Sequence, residues 1–314
     1  MPSINWEKYF TEAELDLLAK HSAGTAKSKE IFWNPELSFK FVRACIDSDI
    51  SFTASSTDLL DSVQGNFTTN HIPKKIVQFW AQKDIPADVH LCMNSWIGTC
   101  NGEYELFNDE SARDFIAKFC SKEQLEAYDY SHHPAMRSDV FRLLYLFHNG
   151  GYYIDADDER REFDINKIEK QHKSFNLILS PLAHHLSSNK MINPIKASTD
   201  SEIARECKLY YNNSPIFAIK NHPIIGKAIE YAVENIFLCK KSGLLANIHY
   251  HTGPNNLTYS TFEYCARNFL STPSEGHIGI IKDWDALATA KCLSYQADDR
   301  NWRSNAEIYN VRAT

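Results

Sequence analysis

Apolar residues at Val140, Leu143, Leu144 and Phe147 follow the i, i+3, i+4, i+7 spacing of one helix face, which predicts a helix over RSDVFRLLYLFHN. Asn149 and two glycines stop it. The apolar run YYI follows, a short strand, and it ends abruptly in DADDE. The same alternation recurs along the chain. IVQFW, YELFND, FNLILSP and SPIFAI have the apolar, β-prone character of strands. PADVHLCMNSWIGTC carries Val89, Cys92, Met93 and Trp96 at helical spacing. SARDFIAKFC, KEQLEAYDY and HPIIGKAIEYAVENIFL read as further helices. Strands alternating with helices predict a mixed α/β sheet from residue 71 onward.

Residues 1–70 have a different texture. Thr11 and Glu14 have capping-box spacing before LDLLAK, and Asn34-Pro35 opens a helix over ELSFKFVRAC. SSTDLLDSVQGNFTTNH reads as a connector. The expectation is an N-terminal helical appendage over 1–70, packed on a main domain over 71–314, with docking of an acceptor or partner as the functional alternative.

Composition narrows the classes. The chain is 43% hydrophobic and 23% charged, with net charge -7 and a pI near 6.0. No basic footprint points to nucleic acid. No apolar run reaches about 18 residues, so no membrane-spanning helix is expected. MPSINWEKYF lacks the features of a signal peptide. The eight cysteines include no CxxC pair and suit reduced thiols, so the expected location is cytoplasmic. In that setting the Asn-x-Ser/Thr triplets at Asn66, Asn212 and Asn256 are chance matches.

The chemistry gathers at DADDE. On an extended chain Asp155 and Asp157 share a face, so both carboxylates reach one point. Two anions brought together force one to take up a proton, unless a cation intervenes. A hard divalent ion, Mg2+ or Mn2+, removes the conflict and keeps positions open for phosphates. A solvated acidic loop also satisfies a lone DxD. Here, however, the tripeptide ends a strand in an α/β sheet, where ligands bind. Asp158 and Glu159 are read as supporting or solvated acids. One helix earlier, Ser138, Asp139 and Arg142 lie together, away from the apolar stripe. Arg142 suits a phosphate and Asp139 a sugar hydroxyl; the alternative is an i, i+3 surface ion pair.

Five segments then carry a resemblance: IPKKIVQFW (72–80), CMNSW (92–96), RSDVFRLLYLFHNGGYYIDAD (137–157), YNNSPIFAIKNHPII (211–225) and HTGPNNLT (251–258). In order and content they resemble the DxD glycosyltransferases of the GT-A fold. The likeness is above all to the capsular-polysaccharide glycosyltransferases and yeast initiating mannosyltransferases of glycosyltransferase family 32, and more distantly to the glucosylating clostridial toxins. The resemblance implies a GT-A type, Rossmann-like mixed sheet flanked by helices. It implies a retaining, metal-dependent transfer from a nucleotide diphosphate sugar to a glycan or lipid-linked acceptor, in bacterial surface polysaccharide synthesis.

Carried over residue by residue, Asp155 and Asp157 hold Mn2+ or Mg2+ and the diphosphate, while Asp139 and Arg142 hold the donor sugar. Trp80 or Phe79 stacks on the base. From the residues themselves, Arg137, like Arg142, is a candidate for electrostatic stabilisation of the leaving diphosphate, and Ser138 is a donor-binding candidate beside Asp139. Asn212 and Asn213 are candidates to hydrogen-bond donor or acceptor hydroxyls, with turn-forming asparagines as the alternative. His251, beside Thr252-Gly253-Pro254, is a candidate for phosphate or metal, with an idle loop histidine as the alternative, and Gly253 is a donor-binding candidate in the same element. The tail YQADDRNWRS offers Asp298 or Asp299 as a further metal ligand and Trp302 as a closing aromatic. Membrane contact would be peripheral, at the inner face, through the N-terminal helices. Two other functions fit less well: a metal-dependent phosphohydrolase, which lacks a histidine-rich ligand set, and a non-catalytic nucleotide-sugar-binding protein.

Overall fold

The computed structural model describes residues 6–22, 35–47, 71–100, 103–171, 175–267, 278–298 and 301. The principal helices are α1 (Glu12–Ser22), α2 (Pro35–Asp47), α3 (Ala87–Asn94), α4 (Asp109–Phe119), α5 (Lys122–Tyr130), α6 (Pro134–Asn149), α7 (Pro223–Lys241) and α8 (Pro254–Arg267). The strands are β1 (Ile76–Phe79), β2 (Tyr104–Phe107), β3 (Gly151–Tyr153), β4 (Asp158–Arg160), β5 (Leu177–His185), β6 (Lys190–Ile192), β7 (Cys207–Ala218), β8 (Ile278–Ile280) and β9 (Ala288–Ala290).

A mixed sheet runs in the order β2-β1-β3-β7-β5-β6, with β8 also paired to β5. β1 is parallel to both β2 and β3, whereas β7 is antiparallel to both β3 and β5. β4 and β9 form a separate ribbon. This is the α/β, helix-flanked mixed sheet expected from the alternation of elements. The pleat divides the core. Val77 and Tyr153 face the cluster that holds Val140, Leu143 and Leu144 of α6. Ile76 and Tyr152 face the opposite cluster, with Trp96, Phe163 and Trp284.

Two glycines explain how β3 enters beside β1. Gly150 ends α6 at φ +68°, its N–H donating to the Leu146 carbonyl at 2.8 Å. Gly151 follows at φ +116°, and a Cβ there would lie 2.9 Å from the Lys75 carbonyl oxygen. A side chain at Gly151 would push β3 off β1 and displace the acidic segment that follows it.

At the N-terminus, Thr11 and Glu14 form the expected reciprocal cap, with Thr11 N–H to Glu14 Oε2 at 2.7 Å. Leu18, Leu37, Phe41 and Val42 belong to the same core cluster as α6, and Phe41 meets Phe262 of α8 at 5.5 Å. Asn34, the expected cap of α2, and the connector through residue 70 lie outside the described residues. No helix among the described residues is long and apolar enough to cross a membrane.

One local expectation is corrected and one alternative is excluded. α3 stops at Asn94, so Trp96 sits in the turn beyond it, though still fully buried. Asn212 and Asn213 do not make a turn; they lie inside the twelve-residue strand β7.

His222 caps α7, its Nδ1 accepting the Ile224 N–H at 3.3 Å, and is fully buried. Burial lowers its pKa to about 3. The folded protein therefore favours the neutral ring, and stability is lost as the pH falls from the ordinary histidine range toward the folded value. His222→Asn keeps an N-cap acceptor and removes that titration. Between pH 7 and pH 5 the variant should lose about 2 kcal/mol less of its own stability than the parent does, measured from urea midpoints. Parallel losses in the two proteins would show that His222 does not carry the acid sensitivity.

Candidate active site

The parallel pairing of β1 with β3 sets Val77 opposite Tyr153. Both strands therefore end at the same edge, delivering Trp80 from one and Asp155 from the other. β7 passes antiparallel beside β3 and brings Asn213 and Ser214 to that edge. α6 lies over it and contributes Ser138, Asp139 and Arg142. Ligand sites in open α/β sheets form where strands end in this way.

Asp155 and Asp157 do not lie on an extended strand. β3 ends at Tyr153, and the Asp158 N–H donates to the Asp155 carbonyl at 3.2 Å, closing a turn. The turn is anchored on three sides. The Asp155 N–H donates to Ser214 Oγ at 2.8 Å, Gln78 Nε2 donates to the Asp155 carbonyl at 3.0 Å, and Trp96 Nε1 donates to the Asp158 carbonyl at 2.7 Å. Asp155 and Asp157 are thus set on a backbone turn rather than on one face of a pleat, with Asp155 toward Arg142 and Asp157 toward Tyr295.

Arg142 is the hub, only 4% exposed. One terminal nitrogen lies 3.3 Å from Asp139 Oδ1 and 3.2 Å from Asp155 Oδ1, and donates to Ser138 Oγ at 2.9 Å. The other donates to the Asn213 carbonyl at 2.5 Å. The guanidinium carbon stands 4.3 Å from the centre of the Tyr153 ring, whose hydroxyl bonds Ser138 Oγ at 2.7 Å. Burial works against the charge on Arg142, but Asp155, Tyr153 and Asp139 hold its proton more firmly than usual. The surface ion pair weighed from spacing alone is ruled out by this burial.

Asp139, 3% exposed, accepts from Asn213 Nδ2 at 2.5 Å and from the Thr252 hydroxyl at 3.0 Å. Burial pushes its carboxyl up to about 7, against the pull of Arg142 and Thr252. Gly253 allows this approach: a Cβ there would lie 3.3 Å from Asp139 Oδ2 and 2.8 Å from the Ile248 carbonyl.

The other expected residues separate into those at the site and those away from it. Trp80 stands at the end of β1, half-buried, and its indole N–H finds no partner among the described residues. Phe79 packs into the core, 5.5 Å from Phe141, so the exposed aromatic face belongs to Trp80. The fork of Arg137 closes on Asp109 with two bonds of 2.8 Å and on the Ser131 carbonyl at 3.1 Å, tying α6 to α4. His251 is held within its own turn, its Nδ1 accepting the Asn247 N–H at 3.0 Å. Asn212 donates to the Ser214 carbonyl. The backbone N–H of Asp298 donates to the Tyr295 carbonyl at 3.3 Å, at the end of a short 3-10 turn. Asp299 and Trp302 lie outside the described residues.

Several contributors were missed from sequence. Asp158, read as a supporting or solvated acid, is 6% exposed, and its Oδ2 accepts from Trp284 Nε1 at 3.0 Å. Burial, then Asp157 and Asp155, hold its carboxyl well above the usual range. Tyr295 donates its hydroxyl to Asp157 Oδ2 at 2.8 Å. Gln78 lay in a strand already recognised, and register would have found it. Nothing local marks Tyr295, 138 residues from its partner.

Among the described residues, no group of three or more His, Cys, Asp or Glu side chains is arranged to hold a metal ion. Asp155 and Asp157 fit the other mode, in which one or two carboxylates are completed by substrate phosphates. The charge balance favours this. Asp155, Asp157 and Asp158 gather on one turn beside the guanidinium of Arg142, and the Asp155 side chain keeps 35% of its surface exposed.

A turn that presents Asp-x-Asp at a strand end, backed by a buried Asp–Arg pair, is now in place. Residues 86–175 match the family described as "Glycosyltransferase sugar-binding region containing DXD motif". Two curated proteins of Schizosaccharomyces pombe (strain 972 / ATCC 24843) are similar to this chain. "Inositol phosphoceramide mannosyltransferase 2" is 35% identical over 106 residues, covering 33% of this chain and 30% of that protein. "Inositol phosphoceramide mannosyltransferase 3" is 35% identical over 98 residues, covering 27% and 24%. The match thus spans less than a third of the length of either yeast protein. Among solved structures, "PaToxG Glycosyltransferase" aligns over 87% of this chain and 97% of its own, with a TM-score of 0.43 and 15% identity. The UDP-bound glycosyltransferase domain from the YGT toxin aligns over 60% and 53%, with a TM-score of 0.32 and 13% identity. The DXD region includes Asp139, Arg142, Asp155 and Asp157; Trp80, Asn213, Thr252 and Tyr295 reach the same site from outside it.

Proposed function

We propose that this protein is a metal-dependent glycosyltransferase that moves a sugar from a nucleotide diphosphate sugar to a hydroxyl acceptor with retention of configuration. The carrying observation is the continuous row Asp139–Arg142–Asp155, which ends at the turn that also holds Asp157. Asp155 and Asp157 would hold Mn2+ or Mg2+, which when bound neutralises charge on the departing diphosphate. Arg142 supplies a fixed positive charge beside Asp155 and aims it without reorganisation. Asp139, enclosed by Asn213 and Thr252, holds Arg142 in place and is the proposed acidic partner for the donor sugar. Trp80 offers its ring to the base.

In the reaction, the acceptor oxygen attacks the anomeric carbon on the face from which the diphosphate leaves. The carbon–oxygen bond to the diphosphate breaks, the glycosidic bond forms, and the acceptor's proton passes to the departing phosphate oxygen. The proposed acceptor is a glycan or lipid-linked hydroxyl; the yeast relatives' printed names, which refer to inositol phosphoceramide, favour the lipid-linked one.

The test is a thermal-shift screen of UDP- and GDP-sugars, with and without Mn2+. The true donor at about 100 times its Kd should stabilise the fold by about 2.7 kcal/mol, and only with the metal present. Metal-dependent release of phosphate from plain nucleotides, with no sugar transfer, would instead establish the phosphohydrolase.

A further inference from the structure

The stretch beginning at Ala288 is bonded to the DXD turn along its length. β9 pairs with β4 at Ala290 and Asp158. The Lys291 N–H donates to the Asp157 carbonyl at 3.2 Å, and its ammonium pairs with Glu159 at 2.7 Å. Leu293 packs in a small cluster with Ala156, Val89 and Met93. Asp88 of α3 then grips the next residue, accepting the Ser294 N–H at 2.6 Å and its hydroxyl at 3.0 Å. These contacts fix the short turn Ser294–Ala297 and present one side chain, Tyr295, to the site. Its hydroxyl donates to Asp157 Oδ2 at 2.8 Å, while its ring meets Trp80 edge-on, with centroids 5.2 Å apart and planes at 82°.

We propose that Tyr295 is a positioning residue for two parts of the site at once: its hydroxyl sets the plane of the Asp157 carboxylate for a divalent cation, and its ring holds Trp80 as the face for the nucleotide base. The inference rests on the metal and nucleotide reading above. A carboxylate on a turn rotates freely unless something fixes it. A hydrogen bond to Oδ2 restrains its plane, and because each oxygen of an ionised carboxylate has more than one acceptor position, that bond is compatible with a cation on the same carboxylate. Outer bonds of this kind are worth about 10–100-fold in metal affinity. The two tasks use different atoms of the same side chain, and so they can be separated.

Tyr295→Phe removes the hydroxyl and keeps the ring; Tyr295→Leu removes both. Two titrations of the full chain read the two tasks: Mn2+ alone, by electron paramagnetic resonance, and UDP or GDP at saturating Mn2+, by calorimetry. Tyr295→Phe should bind Mn2+ alone about 10-fold more weakly, while its nucleotide affinity at saturating Mn2+ returns to within about twofold of wild type. Tyr295→Leu should weaken both, and excess Mn2+ should not restore nucleotide binding. A merely structural residue would move both measurements or neither in Tyr295→Phe. Wild-type Mn2+ affinity in Tyr295→Phe overturns the carboxylate role, and full nucleotide affinity in Tyr295→Leu overturns the ring role. Failure of the wild-type protein to bind Mn2+ overturns the metal reading itself, a result distinct from either of these.

Discussion

Asp155→Asn and Asp157→Asn should each lower sugar transfer by at least about 100-fold, since removing a direct cation ligand should cost no less than removing an outer partner. Their effects on the fold should differ in sign. Asp157 shares its turn with Asp155 and Asp158, and both Asp155 and Asp157 push the Asp158 carboxyl upward. Neutralising Asp157 relieves repulsion in the metal-free protein, so its urea midpoint should stay level or rise. Asp155 also faces Arg142 at 3.2 Å. Neutralising it leaves that buried guanidinium with less compensation, and the midpoint should fall. Transfer assays with and without EDTA, run beside urea titrations, check both points. Full activity in either variant would remove that residue from the metal site, and a shared loss of stability would mean that repulsion on the turn is unimportant.

Much of this arrangement was legible in the sequence because it depends on local periodicity. The stripe Val140–Leu143–Leu144–Phe147 fixed α6, and the Gly-Gly pair fixed its end. Order along the chain then placed the acids at a strand mouth. The error at Asp155 and Asp157 was geometric. A strand ending at Tyr153 and one ending at Asp157 read alike, because the turn is closed by a backbone bond and by Ser214, 59 residues away. The burial of Asp139 and Arg142 was equally hidden. A polar helix face normally meets water, and here β7 covers it with Asn213 and the turn before α8 covers it with Thr252. Phe79 and Trp80 are neighbours, and only the sheet decides which ring enters the core. Apart from the local backbone bond that closes the turn, long-range contacts set these outcomes.

Arg142→Met should be the most destabilising single change at the site. It keeps the apolar stem and deletes a guanidinium that touches Asp139, Asp155, Ser138 and the Asn213 carbonyl. Removing one partner of a buried ion pair typically costs about 3–5 kcal/mol, and the share that Asp139 carries is felt only where its carboxyl is ionised. The cost should depend on pH, with a definite sign. Asp139 already has its carboxyl raised to about 7 with Arg142 present. A raised carboxyl favours the protonated folded form, so its contribution to stability is greatest in acid and is lost as the pH rises through the folded value. Without Arg142 the folded value climbs further, and the parent and the variant diverge as the pH rises. Urea midpoints should therefore differ least near pH 5 and most above pH 7, and Arg142→Lys should recover part of the stability because it restores the charge without the fork. An equal deficit at every pH would mean that lost packing, rather than the unpaired Asp139 carboxylate, carries the cost, and Asp139 would then not be the group that Arg142 holds in its charged form.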